Sequence, residues 1–278
     1  MRFLRQYYRI LSIKQMVEEL QDPNAQGRAV VITFDDGYAG TYTEAFPVLQ
    51  AYQIPATVYL TGEAVETGEL SWYDKVFLQF HRANTNLTLE LDVPRSFILE
   101  TDAARLQAAE TVITYLRTLA NGDRQQWCAH FQKLIPLAVD DLRGAMLTWD
   151  DVRVMRRAGI AFGAHTMTHP VVSRLLPGRM RDEIAGSKNL IEERLNATVD
   201  EFAFPFGKAR DCGTAAPELL KEVGFVNAVT TVVGMNRPGD NLYRLRRVVV
   251  GNDTSIARFA LNVHRLFLCP WDEEAAAN

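Results

Sequence analysis

Ala29-Val30-Val31-Ile32-Thr33-Phe34-Asp35-Asp36-Gly37-Tyr38 is an apolar, β-branched run that stops abruptly on two acids and a glycine. Such a run reads as a strand buried on both faces. Gly37 lets the chain turn sharply where the strand ends. Two adjacent carboxylates there are costly to desolvate unless a cation or hydrogen-bond donors meet them. The plainer alternative is an Asp-Gly turn in which Asp36 caps the next helix.

The same pattern, strand and then polar turn, recurs along the chain. Residues 56–60 read as a second buried strand. Residues 160–163 read as another, running into Gly163-Ala164-His165-Thr166-Met167-Thr168-His169-Pro170, and 202–204 lead into Pro205-Phe206-Gly207. Later strands are expected at 225–230 and 245–250. Between them lie helical periodicities. Ser12 and Gln15 form a capping box ahead of Ile13, Met16, Val17 and Leu20. Ala45, Val48, Leu49 and Tyr52 mark a second helix, with Pro47 blurring its start. Thr148 and Asp151 open a third that stops at Gly159. Met180, Ile184, Ile191 and Leu195 mark a long fourth, and further helices are expected at 217–223 and 256–267. Strand–helix alternation over this length implies an α/β fold with a parallel sheet, open or closed into a barrel. Residues 70–145 break the rhythm with helical patterns and a hairpin candidate at 87–91 and 95–99. They read as a mostly helical insertion or lid within one catalytic domain spanning 1–278.

Composition narrows the function classes. The 278 residues are 47% hydrophobic and 23% charged, an ordinary globular balance. With 30 Lys and Arg against 34 Asp and Glu, the formal charge is −4 and no basic run stands out, so nothing favours a nucleic-acid backbone as partner. No apolar run approaches the ~20 residues of a membrane helix. Three scattered cysteines, Cys128, Cys212 and Cys269, form no CxxC pair and fit a reduced compartment. Residues 1–8 lack the apolar core of an export signal, so the chain as given is expected in the cytoplasm. The tail 272–278 is expected to fray. No feature sets an oligomeric state.

The chemistry sits at the strand ends. Strand C-termini of parallel α/β folds converge on one face, where active sites are built. His165 and His169, two of only five histidines, would point the same way on a helical turn, as when two imidazoles bind one metal. A structural pair is the alternative. Two imidazoles and one carboxylate leave positions on a divalent ion open for water and substrate. The second carboxylate then stands beside the metal to take a proton from that water. On an extended strand, Asp35 and Asp36 would point apart, one as ligand and one as base.

Thr33-Phe34-Asp35-Asp36-Gly37, His165-Thr166-Met167-Thr168-His169 and Phe204-Pro205-Phe206-Gly207 resemble the motifs of the NodB-type polysaccharide deacetylases, carbohydrate esterase family 4. Ile54-Pro55-Ala56-Thr57 and Gly159 add to the likeness, which runs from residue 10 to 261 outside the insertion. The resemblance implies a distorted (β/α) barrel and metal-dependent removal of N- or O-acetyl groups from an acetylated glycan. It makes Asp35 the base and Asp36, His165 and His169 the ligands of one divalent ion, Zn²⁺ by ligand type, with Co²⁺ an alternative. The Phe206 N–H would help hold the oxyanion, with Pro205, Tyr38 and Trp149 completing the substrate side. Trp72 is a further candidate for stacking on sugar rings, although core packing is the more frequent use of tryptophan.

Three departures from the family pattern stand out. The arginine that often orients the base is replaced by Ala203. Arg247 is the expected substitute, because Leu245, Arg247 and Val249 alternate onto one strand face while Arg244 and Arg246 point away. The late Leu-x-His motif is missing, and His264 reads as structural. An earlier strand ending in Tyr-His is also missing, so the expectation is a barrel lacking its first strand, with an uncovered edge. These departures leave two other readings open: a weakened glycan-binding or assembly protein, and a deacylase of a small non-sugar amide.

Overall fold

The apolar runs become neighbouring parallel strands. In the computed structural model, which describes residues 1–24, 27–83, 86–251 and 254–268, β1 (Arg9–Leu11) lies beside β2 (Ala29–Val31). After a break at Ile32 the chain resumes as β3 (Thr33–Phe34). The Ile32 carbonyl accepts the Thr57 N–H at 3.0 Å, which carries the ladder across to β4 (Thr57–Leu60). A hairpin of β5 (Leu87–Glu90) and β6 (Pro94–Phe97) stands apart. Then follow β7 (Ala161–Ala164), β8 (Glu201–Ala203), β9 (Asn227–Val233) and β10 (Leu245–Arg247). The main sheet runs β10-β9-β8-β7-β4-β3 with every pairing parallel. With its helices it forms a half-barrel of parallel strands, the α/β architecture that the strand–helix alternation implied.

Strand alternation gives the sheet two packed faces. Val58 and Leu60 of β4 and Phe202 of β8 pack outward against Leu49, Met155, Ile184, Ile191 and Leu220 from the surrounding helices. Tyr59 and Ala203 point the other way, into a second cluster with Val229 and Leu245. Each fully buried aliphatic chain of this kind contributes about 1.5–3 kcal/mol. Gly163 is obligatory here, since a Cβ on it would lie 2.5 Å from the Tyr59 ring and 2.7 Å from the Glu201 carbonyl. The helix Ile13–Gln21 drops Ile13 and Leu20 into that inner cluster, and its Ser12–Gln15 capping box forms as expected.

Two details differ from the sequence reading. The β2 edge is not bare: Arg9–Leu11 pairs along it as β1, a strand too short for its alternation to be read. And β10 ends at Arg247 rather than 250, leaving Val249 and Val250 exposed. Residues 70–145, expected from the sequence as an insertion, build their own apolar cluster from Val76, Phe80, Val112, Leu116 and Phe131, joined by Leu89 of the hairpin. His264, on the helix Ile256–Leu268, meets the Tyr8 hydroxyl at 3.2 Å, a structural contact between the two ends of the fold. Cys269 and the tail expected to fray lie outside the described residues. Among those described, no helix is long and apolar enough to cross a membrane.

Candidate metal centre and active site

The adjacent acids diverge because of a turn. Asp36 and Gly37 both take positive φ, +73° and +84°, and the Gly37 N–H closes onto the Asp35 carbonyl at 3.0 Å. The segment leaving the insertion pins this turn, with Leu147 N–H donating to Gly37 O at 2.8 Å and Ala39 N–H to Ala145 O at 2.7 Å. An extended strand would also have separated the carboxylates, but here a left-handed residue does so. Asp35 faces Arg247 and Asp36 faces the histidines.

The two histidines do not share a helical turn, as their spacing suggested. Residues 165–170 form a loop in which Thr166 and His169 adopt positive φ, +65° and +53°. Hydrogen bonds hold this strained backbone. Thr166 Oγ1 accepts the His169 N–H at 3.1 Å, and Trp72 Nε1 donates to His169 O at 2.9 Å. The Glu183 carboxylate accepts the Met167 and Thr168 N–H groups and the Thr168 hydroxyl at 2.6–2.9 Å. Glu183 is 1% exposed, on the long helix Pro177–Leu195. Its position within an apolar stripe was the one available sequence signal, and the motif reading passed it over.

Asp36, His165 and His169 each turn one ligand atom inward, all within 4.8 Å of one another. Asp36 Oδ1 lies 3.5 Å from His165 Nε2 and 3.3 Å from His169 Nε2, and it is buried without a hydrogen-bond partner. His165 Nδ1–H donates to Ala203 O at 2.7 Å, which sets the tautomer and leaves the Nε2 lone pair free. Burial also pushes the His165 imidazolium down towards the neutral, ligating form. Burial pushes Asp36 up, but the close approach and charge of His169, the charge of His165 and the nearby Tyr73 hydroxyl outweigh it and bring the carboxyl to about 2. A buried two-nitrogen, one-oxygen set facing one point fits a divalent cation.

Arg247 meets Asp35 by both guanidinium ends, at 2.7 and 2.8 Å. Its Nε–H donates to Thr230 O at 2.7 Å, and Nη1, besides Asp35 Oδ1, also donates to Thr33 Oγ1 at 3.1 Å. The planar fork therefore locks one carboxylate orientation. Burial raises the Asp35 carboxyl, but Arg247, by charge and hydrogen bond, holds it below its ordinary value.

Phe206, also at positive φ (+60°), sits in the turn Pro205-Phe206-Gly207, closed by a Gly207 N–H to Pro205 O bond of 2.6 Å. Among the described residues its own N–H meets no acceptor. The Phe206 ring lies 4.8 Å from the His169 ring and 6.1 Å from Trp72. Arg117 of the insertion lies over its other side, 4.2 Å from the ring centroid, and pairs with Asp211 at 2.9 Å. Arg117 thus reads as a positioning residue for this turn. Arg117→Ala is expected to lower kcat by ~10–100-fold with KM and metal content little changed, and Arg117→Lys to recover part of it. Steady-state kinetics beside metal analysis check this, and an unchanged kcat would remove the role.

Two expected substrate residues are engaged elsewhere. Trp149 donates its indole N–H to Glu66 at 2.8 Å, beside the Glu66–Arg194 ion pair. Helix-start position alone could not distinguish it from Trp72, which does reach the His169 loop. Tyr38 is turned to the insertion, its hydroxyl donating to Asp74 at 2.8 Å and lying 3.0 Å from the Tyr73 hydroxyl. Tyr73 and Asp74 were both missed as site residues.

Burial pushes the Asp74 carboxyl up to about 6, against the Tyr38 hydrogen bond. A carboxyl raised above its unfolded value favours the fold while protonated, and this contribution fades as pH rises through 6. The displacement is worth at most about 3 kcal/mol. Asp74→Asn is therefore expected to raise Tm relative to the parent at pH 8 and to do so much less at pH 4, as read by calorimetry. An effect of equal size at both would show that the carboxyl's charge is not its cause.

Sequence and structure comparisons extend this picture. The family model "Polysaccharide deacetylase" matches residues 22–227. YxkH of Bacillus subtilis, named as a polysaccharide deacetylase, is 21% identical over 246 residues, covering 88% of this chain. The chain spans 60% of YxkH's length. Poly-beta-1,6-N-acetyl-D-glucosamine N-deacetylase of Escherichia coli is 55% identical over 40 residues, 14% of this chain and 6% of that protein. The structure of the deacetylase PplD from Streptococcus pyogenes, solved in complex with acetate, superposes with a TM-score of 0.61 at 17% identity, over 93% of this chain and 81% of that one. A match that begins at Asp22, ends at Asn227 and takes in both acids, both histidines and the Phe206 turn makes this chain a member of the polysaccharide deacetylase family.

Proposed function

We propose that this chain hydrolyses the acetamide of N-acetylated amino sugars in a polysaccharide, with one divalent ion, zinc by ligand type, held by Asp36, His165 and His169. The observation that carries the reading is the pairing of this ligand set with a neighbouring carboxylate, Asp35, that Arg247 holds through both oxygens. The family match and the short, strong likeness to an N-acetylglucosamine polymer deacetylase support the substrate class.

A divalent ion in this site supplies Lewis-acid charge and acidifies a water. Asp35 takes the proton of the attacking water. Each of its oxygens accepts one Arg247 N–H and keeps a second lone pair for that task. The lowered pKa makes Asp35 a modest base but a strong acid once protonated, suited to passing the same proton to the leaving amine. The Phe206 N–H donates to the oxygen on which negative charge develops.

The test is acetate release from a panel of N-acetylated oligosaccharides. Release is expected from the metal-loaded protein, is lost on chelation and returns with zinc or cobalt. A protein that holds metal and binds the oligosaccharides without releasing acetate is a glycan-binding protein instead.

A further inference from the structure

The two imidazoles of the candidate metal centre are held in different ways. His165 directly follows β7, and its Nδ1–H is fixed by Ala203 O at 2.7 Å. His169 Nδ1 is buried and, among the described residues, meets no hydrogen-bond partner. A metal-ligating histidine usually donates that second N–H to an acceptor that orients the ring. The His169 ring is instead flanked by the Tyr73 and Phe206 rings, at 4.6 and 4.8 Å between centroids. Its aim therefore depends on where its backbone is held. That backbone is strained, with positive φ at Thr166 and His169. Such residues keep their conformation only when the surrounding contacts dictate it.

The insertion supplies the far side of those contacts. Trp72, which opens the helix Trp72–Arg82, donates its indole N–H to His169 O at 2.9 Å. Arg124, on the helix Asn121–Leu134, lies 4.7 Å from the Trp72 ring centroid and is 3% exposed. Burial pushes Arg124 below its ordinary pKa, and the charge of Glu183 opposes that fall. Cys128 also acts on Arg124, but burial pushes its thiol up to about 11, so it carries no charge at neutral pH. Glu183 is the carboxylate that accepts the Met167 and Thr168 N–H groups. Arg124 thus joins both supports of the histidine loop: it packs on the tryptophan that holds His169 and balances the acid that holds its neighbours. Arg179 stands 3.9 Å from Glu183, but its side chain is 53% exposed, where solvent screens the pair.

We propose that Arg124 and Trp72 are positioning residues for His169, so that the insertion braces the histidine loop and sets the metal affinity of the site. The proposal rests on Asp36, His165 and His169 as ligands and not on which substrate is cleaved. A cation over an indole is worth more when desolvated than at an exposed site. Its removal leaves the buried Glu183 with only the solvent-screened Arg179 for balance. The loop then relaxes its left-handed residues, and His169 Nε2 leaves the point on which Asp36 Oδ1 and His165 Nε2 converge.

Zinc affinity by competition with a chromophoric chelator, the visible spectrum of the cobalt-loaded protein and thermal melts of the metal-free protein test it together. Arg124→Met and Trp72→Phe should each weaken zinc by ~10–100-fold and shift the cobalt bands, while the metal-free variants still melt cooperatively. Arg124→Lys, which keeps a cation beside the indole, should recover part of the affinity. Arg179→Ala should leave both metal readouts as in the parent. Unchanged zinc affinity in a folded Arg124→Met or Trp72→Phe overturns the proposal. An equal loss in Arg179→Ala does so too, because it traces the effect to the charge of Glu183 alone. If Arg124→Met fails to fold, Trp72→Phe decides, since it removes the one N–H on His169 O and keeps an aromatic ring. A parent that binds neither ion removes the ligand assignment itself, and the proposal with it.

Discussion

Asp35→Asn is expected to lower kcat by ~10²–10⁴-fold while the protein keeps its metal. Asparagine has nearly the shape of aspartate but cannot take a proton from water. Asp35 faces Arg247 rather than the histidines, so its replacement leaves the Asp36, His165 and His169 atoms where they are. Arg247→Ala should act in the same direction by a different route. It frees the carboxylate to rotate and lets its pKa rise under the remaining desolvation, so kcat falls with metal content intact and the acid limb of the pH–rate profile moves to higher pH. Turnover, metal analysis and the pH profile of both variants separate these effects. If both variants turn over like the parent, Asp35 is not the base. If Asp35→Asn loses metal as readily as Asp36→Asn, the two acids have been assigned the wrong way round.

His165→Ala or His169→Ala is expected to strip the metal outright, and activity with it. Changes to groups that merely support a ligand typically cost 10–100-fold in metal affinity or activity, and loss of one of three protein ligands should exceed that. The two substitutions differ in side effects. His165 also donates to Ala203 O, so its loss removes a tie between the loop and β8, whereas the His169 backbone stays anchored by Trp72 and Thr166. Elemental analysis of dialysed protein, with thermal melts in parallel, distinguishes metal loss from unfolding. A double variant that still carries one metal per chain would end the assignment of this site.

The candidate ligand set, the neighbouring Asp35 and the turn at Phe206 were legible as strand-end clusters because each cluster is a motif of residues close in sequence. Strand ends were marked by apolar runs breaking at Gly37 or after Phe204, and parallel strands bring such ends to one face whatever lies between them. Arg247 was legible by the two-residue period of a strand, which assigns a face without naming a partner. The histidine loop shows the limit of spacing. Four residues apart suited a helix, yet two left-handed residues and a buried Glu183 produce the same convergence.

By itself, the sequence determined the alternating α/β architecture, the three strand-end clusters and the chemistry their side chains can do, since periodicity, turn preference and ligand type are local properties. Only the tertiary structure decided which distant groups complete the site. Tyr73, Asp74, Trp72 and Arg117 all come from the insertion and meet the barrel through Tyr38, His169, Phe206 and Asp211. Trp149 went instead to Glu66. Such pairings follow from how two apolar layers dock, and docking is set by the summed shape of many side chains, so no local pattern in the chain encodes them.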